Sequence, residues 1–414
     1  MAKDLPRIAI LGAGPIGLEA ALYARTLNHP VRIYERGQVG DYWQRWGHVR
    51  LFSPFDMNST TLGRSAIRAG KSAHEFPDDD SITTGREHRE AYLVPVSQVE
   101  RLKGCLVAET QVLSIGRRGF LKDDDPSDPK RARQPFRILL KDRSNRERAE
   151  EADIVLDCTG TYGQHGWLGD GGIPAVGELA AEANIVYGLE DVAGERKNTY
   201  AGKNVLMVGS GYSAATTACN LAALADNHAS TWIIWLARGQ STQPIRRIPN
   251  DPLRERDRLA VRANTLATRT DANLEFHSQS VIESVEFQGQ DRGFKVGARC
   301  AGEPRTFEVE RIIANVGYTP DRGIHRELQV LACYASEGPM KLAAVLQGQK
   351  SHDCLKLAGA GPESLRNPEP NFFILGAKSF GRNSNFLLRI GFEQIRDVFT
   401  LISGNANLDL YKKK

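Results

Sequence analysis

Two glycine-rich hexads, far apart in one chain, constrain this sequence more than any other feature. Gly12-Ala13-Gly14-Pro15-Ile16-Gly17 follows the apolar run Arg7 to Leu11. Apolar residues at helical spacing come next, from Leu18 to Leu27, and Val31 to Tyr34 reads as a second strand. Gly209-Ser210-Gly211-Tyr212-Ser213-Ala214 repeats the arrangement, between the strand Val205 to Val208 and the helical stretch Ala214 to Leu224. Trp232 to Leu236 is its following strand. The sequence therefore predicts two βαβ units.

In the strand–turn–helix context a G-x-G-x-x-G hexad has a specific physical use. Gly12 permits the tight turn, Gly14 lets a pyrophosphate approach the backbone, and Gly17 lets helix and strand pack closely. Pro15 suits the first helical position, and the free N–H groups beside it attract phosphate charge. Glu35, at the end of the next strand, is placed to accept from ribose hydroxyls, with Arg36 beside it. In the second unit Gly209, Gly211, Ser213 and Ala214 form the corresponding turn. Its second strand ends in Ala237-Arg238, without an acid at the ribose position. An acid there repels a 2′-phosphate, whereas Arg238 pairs with one, so the expected cofactor is NADPH rather than NADH. Arg246 and Arg247 either reinforce that site or form a solvated basic loop.

Composition removes several function classes. The 414 residues suffice for two domains. A formal net charge of +4 gives no reason to expect nucleic-acid binding. Six scattered cysteines form no C-x-x-C pair or zinc spacing, and the nine histidines form no H-x-x-x-H pair, so no metal site is expected. The first apolar stretch, Ile8 to Ala24, is interrupted by three glycines and Pro15. It reads as neither a signal segment nor a membrane span, so a soluble, cytoplasmic protein is expected.

Between the hexads, 37–95 is rich in Gly, Ser, Pro and Asp, with little legible structure before Glu87 to Val96. Leu106 to Ile115, Phe136 to Leu140 and Ile154 to Leu156 read as strands. The charged stretch Arg117 to Arg133 reads as an exposed hairpin tip or mobile loop. Strands at Ile312 to Val316 and Phe372 to Leu375, and a helix from Phe392 to Ile402, complete the chain. The expected fold is α/β, with two Rossmann-type dinucleotide-binding domains, the NADPH domain inserted in the first. Expected bounds are 1–165 and 311–414 for the first domain and 166–310 for the insertion.

This organisation resembles the flavin-dependent monooxygenase and pyridine nucleotide–disulfide reductase superfamily, over nearly the whole chain. Gly40-Asp41-Tyr42-Trp43 is similar to the G-G-x-W stretch of flavin monooxygenases. Arg86 to Leu93 looks like the helix those proteins carry before their middle strands, which here include Val112. Asp157-Cys158-Thr159-Gly160 resembles the A-T-G crossover, and Gly317-Tyr318-Thr319-Pro320-Asp321 the G-Y-x-P return. Phe373-Ile374-Leu375-Gly376 is similar to the strand reaching the flavin ribityl chain. Ala377 stands where many relatives have Asp, leaving Lys378, Ser379 or a water to take its place. Val186 to Asp191 lacks the histidine of the monooxygenase fingerprint.

The resemblance implies FAD contacts at Gly12, Gly14, Pro15, Gly17, Glu35, Arg36, Trp43, Val112, Gly160, Gly376, Gly391 and Phe392. Gly391 and Phe392 would open a helix whose dipole stabilises reduced flavin. Asn58 is the candidate for assisting oxygen, with an Asx-turn role as the alternative. Arg50 is a candidate for an anionic substrate or a flavin phosphate, and Asn383 and Asn385 for the pocket wall.

Without a dithiol, thiol relay is not expected. The resemblance then implies an FAD- and NADPH-dependent monooxygenase acting on a small molecule at N, S or a carbonyl carbon through a C4a-(hydro)peroxyflavin. Two alternatives stay open: an NAD(P)H-dependent flavin reductase or oxidase feeding a quinone or protein acceptor, and a non-catalytic flavin-binding sensor. Expected partners are the substrate and molecular oxygen, with no nucleic acid and no membrane; a homodimer stays open.

Overall fold

A computed structural model describes residues 5–70, 73–270, 273–349, 354–356 and 359–412. The chain forms two compact units. One comprises Met1–Gly47, Ser53–Gln164 and Thr319–Lys414, the other His48–Phe52 and His165–Tyr318.

In chain order, the first unit opens with β1 (Ile8–Leu11), α1 (Pro15–Thr26) and β2 (Val31–Tyr34). β3 (Leu106–Val107), β4 (Thr110–Arg117), β5 (Phe136–Asp142), β6 (Glu147–Ala152) and β7 (Ile154–Asp157) follow. The second unit contains β8 (Val186–Tyr187), β9 (Asn204–Val208), α2 (Tyr212–Asn227), β10 (Trp232–Leu236) and β11 (Leu274–His277). It ends with β12 (Ser280–Phe287), β13 (Phe294–Cys300), β14 (Glu303–Val309) and β15 (Arg311–Ala314). The first unit then regains β16 (Phe372–Ile374) and α3 (Leu388–Ser403).

Each unit is built on a parallel sheet. The strand orders are β16-β7-β1-β2-β3 and β11-β10-β9-β15-β8. Ile8 to Leu11 are all buried and pair in register with both Val31–Tyr34 and Ile154–Asp157. A strand buried on both faces has no alternation to show, which is why these segments read as short apolar runs. Three-stranded antiparallel sheets, β4-β5-β6 and β12-β13-β14, complete the units. α1 packs on α3, with the Tyr23 ring stacked on Phe399 at 4.9 Å. Among the described residues no helix is long and apolar enough to cross a membrane.

Several sequence expectations need correction. β15 pairs with β9 and β8, so it belongs to the second unit, and the first unit resumes at Thr319 rather than 311. The stretch 37–95 holds more structure than its composition suggests: Thr61–Gly70 is a helix, and Gly85–His88, opened by a Thr84–Glu87 capping box, runs on to Ser97. Arg117 to Arg133 is anchored at both ends. Arg117 and Arg131 are buried and converge on Glu369, with N–O distances of 2.8 and 2.7 Å. Arg117 also lies over the Phe136 ring, 3.5 Å from its centroid.

Candidate functional site

The first turn has the geometry its glycines imply. Gly12 has φ +94°, and a Cβ there would lie 2.9 Å from the Cys158 carbonyl oxygen. A Cβ on Gly17 would lie 1.9 Å from the Gly12 oxygen, so α1 meets β1 at backbone distance. Gly14 is different. Its backbone is extended, and a Cβ there would meet nothing within 4 Å. α1 begins at Pro15 with no side-chain cap and no acid in its first turn. Its free N–H groups thus end in open space beside a residue without a side chain, a surface suited to an anion.

The other candidates of this unit gather around the turn. Glu35 accepts from Ala13 N at 2.7 Å and Gly37 N at 2.8 Å, which ties the acid to the hexad. Arg36 donates to the Tyr42 hydroxyl at 2.7 Å. Gly160, with φ +69°, follows the Cys158-Thr159 backbone that packs on Gly12. Ile16 draws in two more: a Cβ on Gly376 would lie 3.1 Å from its Cγ1, and one on Gly391 2.3 Å from its Cδ1. α3 starts a turn before Phe392, at Leu388, again without a side-chain cap or an early acid. Phe392 itself is buried, its ring 6.2 Å from Tyr411, so only its backbone is placed to serve a ligand. Val112 lies farther along β4, packed on the Tyr34 core.

Trp43 belongs to an aromatic cluster, 4.7 Å from Trp46 and 5.0 Å from His88 between ring centroids. Tyr162 extends it, 6.4 Å from Trp46 and 5.7 Å from Tyr42. His88 is fully buried, and neither ring nitrogen has a hydrogen-bond partner among the described residues. Burial lowers its pKa to about 3, so the imidazole is neutral.

Asn58 is buried, and its amide donates to the Ser53 and Pro54 carbonyls at 2.9 and 3.0 Å while accepting from Ser53 Oγ. That arrangement closes its own loop, as the Asx-turn alternative expects. Arg50 is exposed in His48–Phe52, a segment that clusters with the second unit. Neither Lys378 nor Ser379 stands free at the Ala377 position. Lys378 is buried and donates to Asp157 Oδ2 at 2.7 Å and Thr159 Oγ1 at 3.0 Å. Ser379 Oγ donates to the Gly376 carbonyl and accepts from Gln394. Burial pushes the Asp157 carboxyl up, but Lys378 and His325 outweigh it and hold it well below the usual range. Sequence reasoning missed this cluster. Its sequence traces were an Asp before Cys158-Thr159-Gly160 and a Lys after the displaced ribityl position.

The second turn repeats the first. Gly209 has φ +139°, and a Cβ would lie 2.4 Å from the Asn315 oxygen, while Gly211 is extended with nothing within 4 Å. Trp235 Nε1 donates to the Gly209 carbonyl at 2.8 Å and pins the turn. Ser213 is half-buried in the uncapped first turn of α2, and Ala214 is buried beneath it. Arg238 is exposed after β10 and makes no hydrogen bond or ion pair with another described residue. Arg247 is engaged by Asp257 through two 2.9 Å contacts, so of the two following arginines Arg246 is the exposed one without such a pairing.

All six cysteines are buried, and none is in a disulfide. Burial pushes the Cys158 thiol, beside the first turn, well above its ordinary pKa.

No protein-family model matches the chain, and no curated protein matches it in sequence. Solved structures do match its fold. It is similar to the bacillithiol disulfide reductase of Bacillus cereus, with TM-score 0.69 and 16% identity over 96% of this chain and 99% of that one. It is also similar to the FAD-bound cadaverine monooxygenase of desferrioxamine biosynthesis from Erwinia amylovora, with TM-score 0.65 and 14% identity over 100% and 97%. The ornithine hydroxylase of Pseudomonas aeruginosa gives 0.64 and 15% over 97% and 99%. The fold is thus the two-domain α/β fold shared by disulfide reductases and monooxygenases.

Proposed function

We propose that the chain is an FAD-containing, NADPH-dependent oxidoreductase whose flavin passes electrons on without a thiol relay. The observation carrying this reading is the pair of turns. Gly14 and Gly211 each leave open space at the uncapped N-terminus of a long helix, while Gly12, Gly17 and Gly209 are fixed by backbone contacts. In the first unit, Gly14 and the N–H groups of α1 would hold the FAD pyrophosphate, and Glu35 would take the ribose with its remaining lone pairs. The backbone at Gly391 and Phe392 would present the start of α3 to the flavin ring. In the second unit, Gly211 and Ser213 would receive the NADPH pyrophosphate, and Arg238, with Arg246 nearby, the 2′-phosphate. FAD, when bound, supplies hydride acceptance from the nicotinamide and electron release to an acceptor.

The thiols bear on the acceptor. A disulfide relay needs two sulfurs in reach of one another, and none of the six buried cysteines forms a disulfide in this structure. The reading this supports is a monooxygenase, placing oxygen on a small molecule at N, S or a carbonyl carbon. Similarity alone does not choose, since the chain resembles a disulfide reductase and two monooxygenases alike.

The test is to load the protein with FAD, reduce it with NADPH under argon, and admit labelled oxygen with panels of amines, thioethers and ketones. Label in an organic product supports the monooxygenase. Complete recovery of the oxygen as hydrogen peroxide removes it and leaves a reductase or oxidase. Failure of both nicotinamides to reduce the flavin removes the enzyme reading altogether.

A further inference from the structure

α1 carries a second feature that the cofactor reading does not use. Glu19, two residues past Gly17, is 1% exposed. Its carboxyl accepts from the Tyr92 hydroxyl and from Thr60 Oγ1 at 3.0 and 3.1 Å. The Tyr92 hydroxyl also accepts from Thr60 N at 2.9 Å. A Cβ on Gly63 would lie 2.6 Å from Glu19 Oε1, so the roof of the cluster is closed by backbone.

The remaining side is closed by the segment that follows α3. Tyr411 lies edge-on to Tyr23 at 5.3 Å and 6.2 Å from Phe392. Its carbonyl accepts from Thr61 Oγ1 at 2.7 Å, and Leu410 N donates to the Tyr23 hydroxyl at 3.1 Å. The Tyr411 hydroxyl is buried and faces the Glu19 carboxyl.

Among the described residues no cation pairs with the carboxyl. Arg64 on the Thr61–Gly70 helix pairs with Asp79, and Arg68 lies over Phe76. On the helical run 85–97, His88 is neutral and Arg89 donates to the Val39 carbonyl. Arg396 and Asp397 on α3 pair with each other. Asp409 and Lys412 flank Tyr411 in the covering segment, and neither forms an ion pair with Glu19. Burial therefore raises Glu19 to about 7, against the opposing interactions with the Tyr92, Thr60 and Tyr411 hydroxyls.

We infer that residues 405–412 are a pH-keyed latch over Glu19, closed when the carboxyl is protonated and released when it ionises and draws in water. The sign follows from linkage. Closure is fully favoured below the hydrated carboxyl's pKa and is lost as pH rises to about 7. With a hydrated value near 4.3, the opening equilibrium rises about tenfold between pH 6 and pH 9.

Hydrogen exchange of the full chain, corrected for intrinsic rates, reads this directly. Opening of 405–412 should rise about tenfold over that range, and Glu19→Gln should abolish the rise while keeping the closed level. A pH-independent opening in the native chain, or the same rise in Glu19→Gln, overturns the latch. If Glu19→Gln fails to fold, Tyr411→Ala with infrared titration of protonated carboxyl serves. The band should vanish at lower pH than in the native chain, and an unchanged titration overturns the proposal.

Discussion

Replacing Gly14 with alanine should separate binding from folding, because the proposed function gives these to different glycines of one hexad. At Gly14 the backbone is extended (φ −79°, ψ −176°), and an added Cβ meets nothing within 4 Å. Alanine is a poorer N-cap than glycine by up to about 1 kcal/mol, and it stiffens the unfolded chain by about 0.4–1 kcal/mol. The two nearly cancel, so the apoprotein should melt within a degree or two of the native one. On the proposed reading, the methyl group instead occupies the open space a pyrophosphate would fill. Overpacking costs about 1–3 kcal/mol, which is about 5- to 150-fold in FAD affinity. Gly17→Ala should do the reverse. Its Cβ would lie 1.9 Å from the Gly12 oxygen and 3.5 Å from Ile10 Cγ2, so helix and strand must part, at a cost of about 3 kcal/mol or more. Thermal melts of the two apoproteins and FAD titrations followed by flavin fluorescence give both quantities. Native FAD affinity in Gly14→Ala, or loss of affinity only in proportion to loss of stability, refutes the assignment.

Three further outcomes follow from other parts of the molecule. Arg238→Ala should weaken NADPH about 10- to 100-fold and leave NADH nearly unchanged, since a charge-assisted contact contributes about 1.5–3 kcal/mol; equal effects on both, in steady-state flavin reduction, would show that Arg238 does not read the 2′-phosphate. Lys378→Met leaves Asp157 buried without its ammonium and should cost about 3–5 kcal/mol in chemical unfolding, whereas a change below about 1 kcal/mol would disprove the buried pair. Because the Asp157 carboxyl is held low, that stability is present above about pH 4 and is lost as pH falls further, so the native chain should lose melting temperature there and Lys378→Met should lose less.

The legible part of this protein is the part written locally. Each hexad carries its own turn, helix start and flanking strand within about thirty residues, so Gly12, Gly14 and Gly17 could be assigned roles before any fold was known. What could not be read depends on partners far along the chain. Arg131 sits in a charged, proline-containing stretch that reads as solvated, and it is buried because Glu369, 238 residues away, meets it. Lys378 follows the displaced ribityl position, but its engagement by Asp157 spans 221 residues. The Thr61–Gly70 helix was hidden by its own glycines, of which Gly63 is required by the approach of the Tyr92 hydroxyl and Glu19. Asn58 had the residue type expected at an oxygen-assisting position, and only its three contacts within the loop show its use.

The central claim is a flavin reduced by NADPH with no thiol pair behind it. Its most direct test is an anaerobic NADPH titration of the FAD-loaded protein, following the flavin absorbance. On the proposed reading a single equivalent of NADPH per bound FAD should bleach it completely, because none of the six buried cysteines forms a disulfide that would take up a second. Uptake of a second equivalent before full reduction, with two thiols appearing on denaturing titration, would contradict the account.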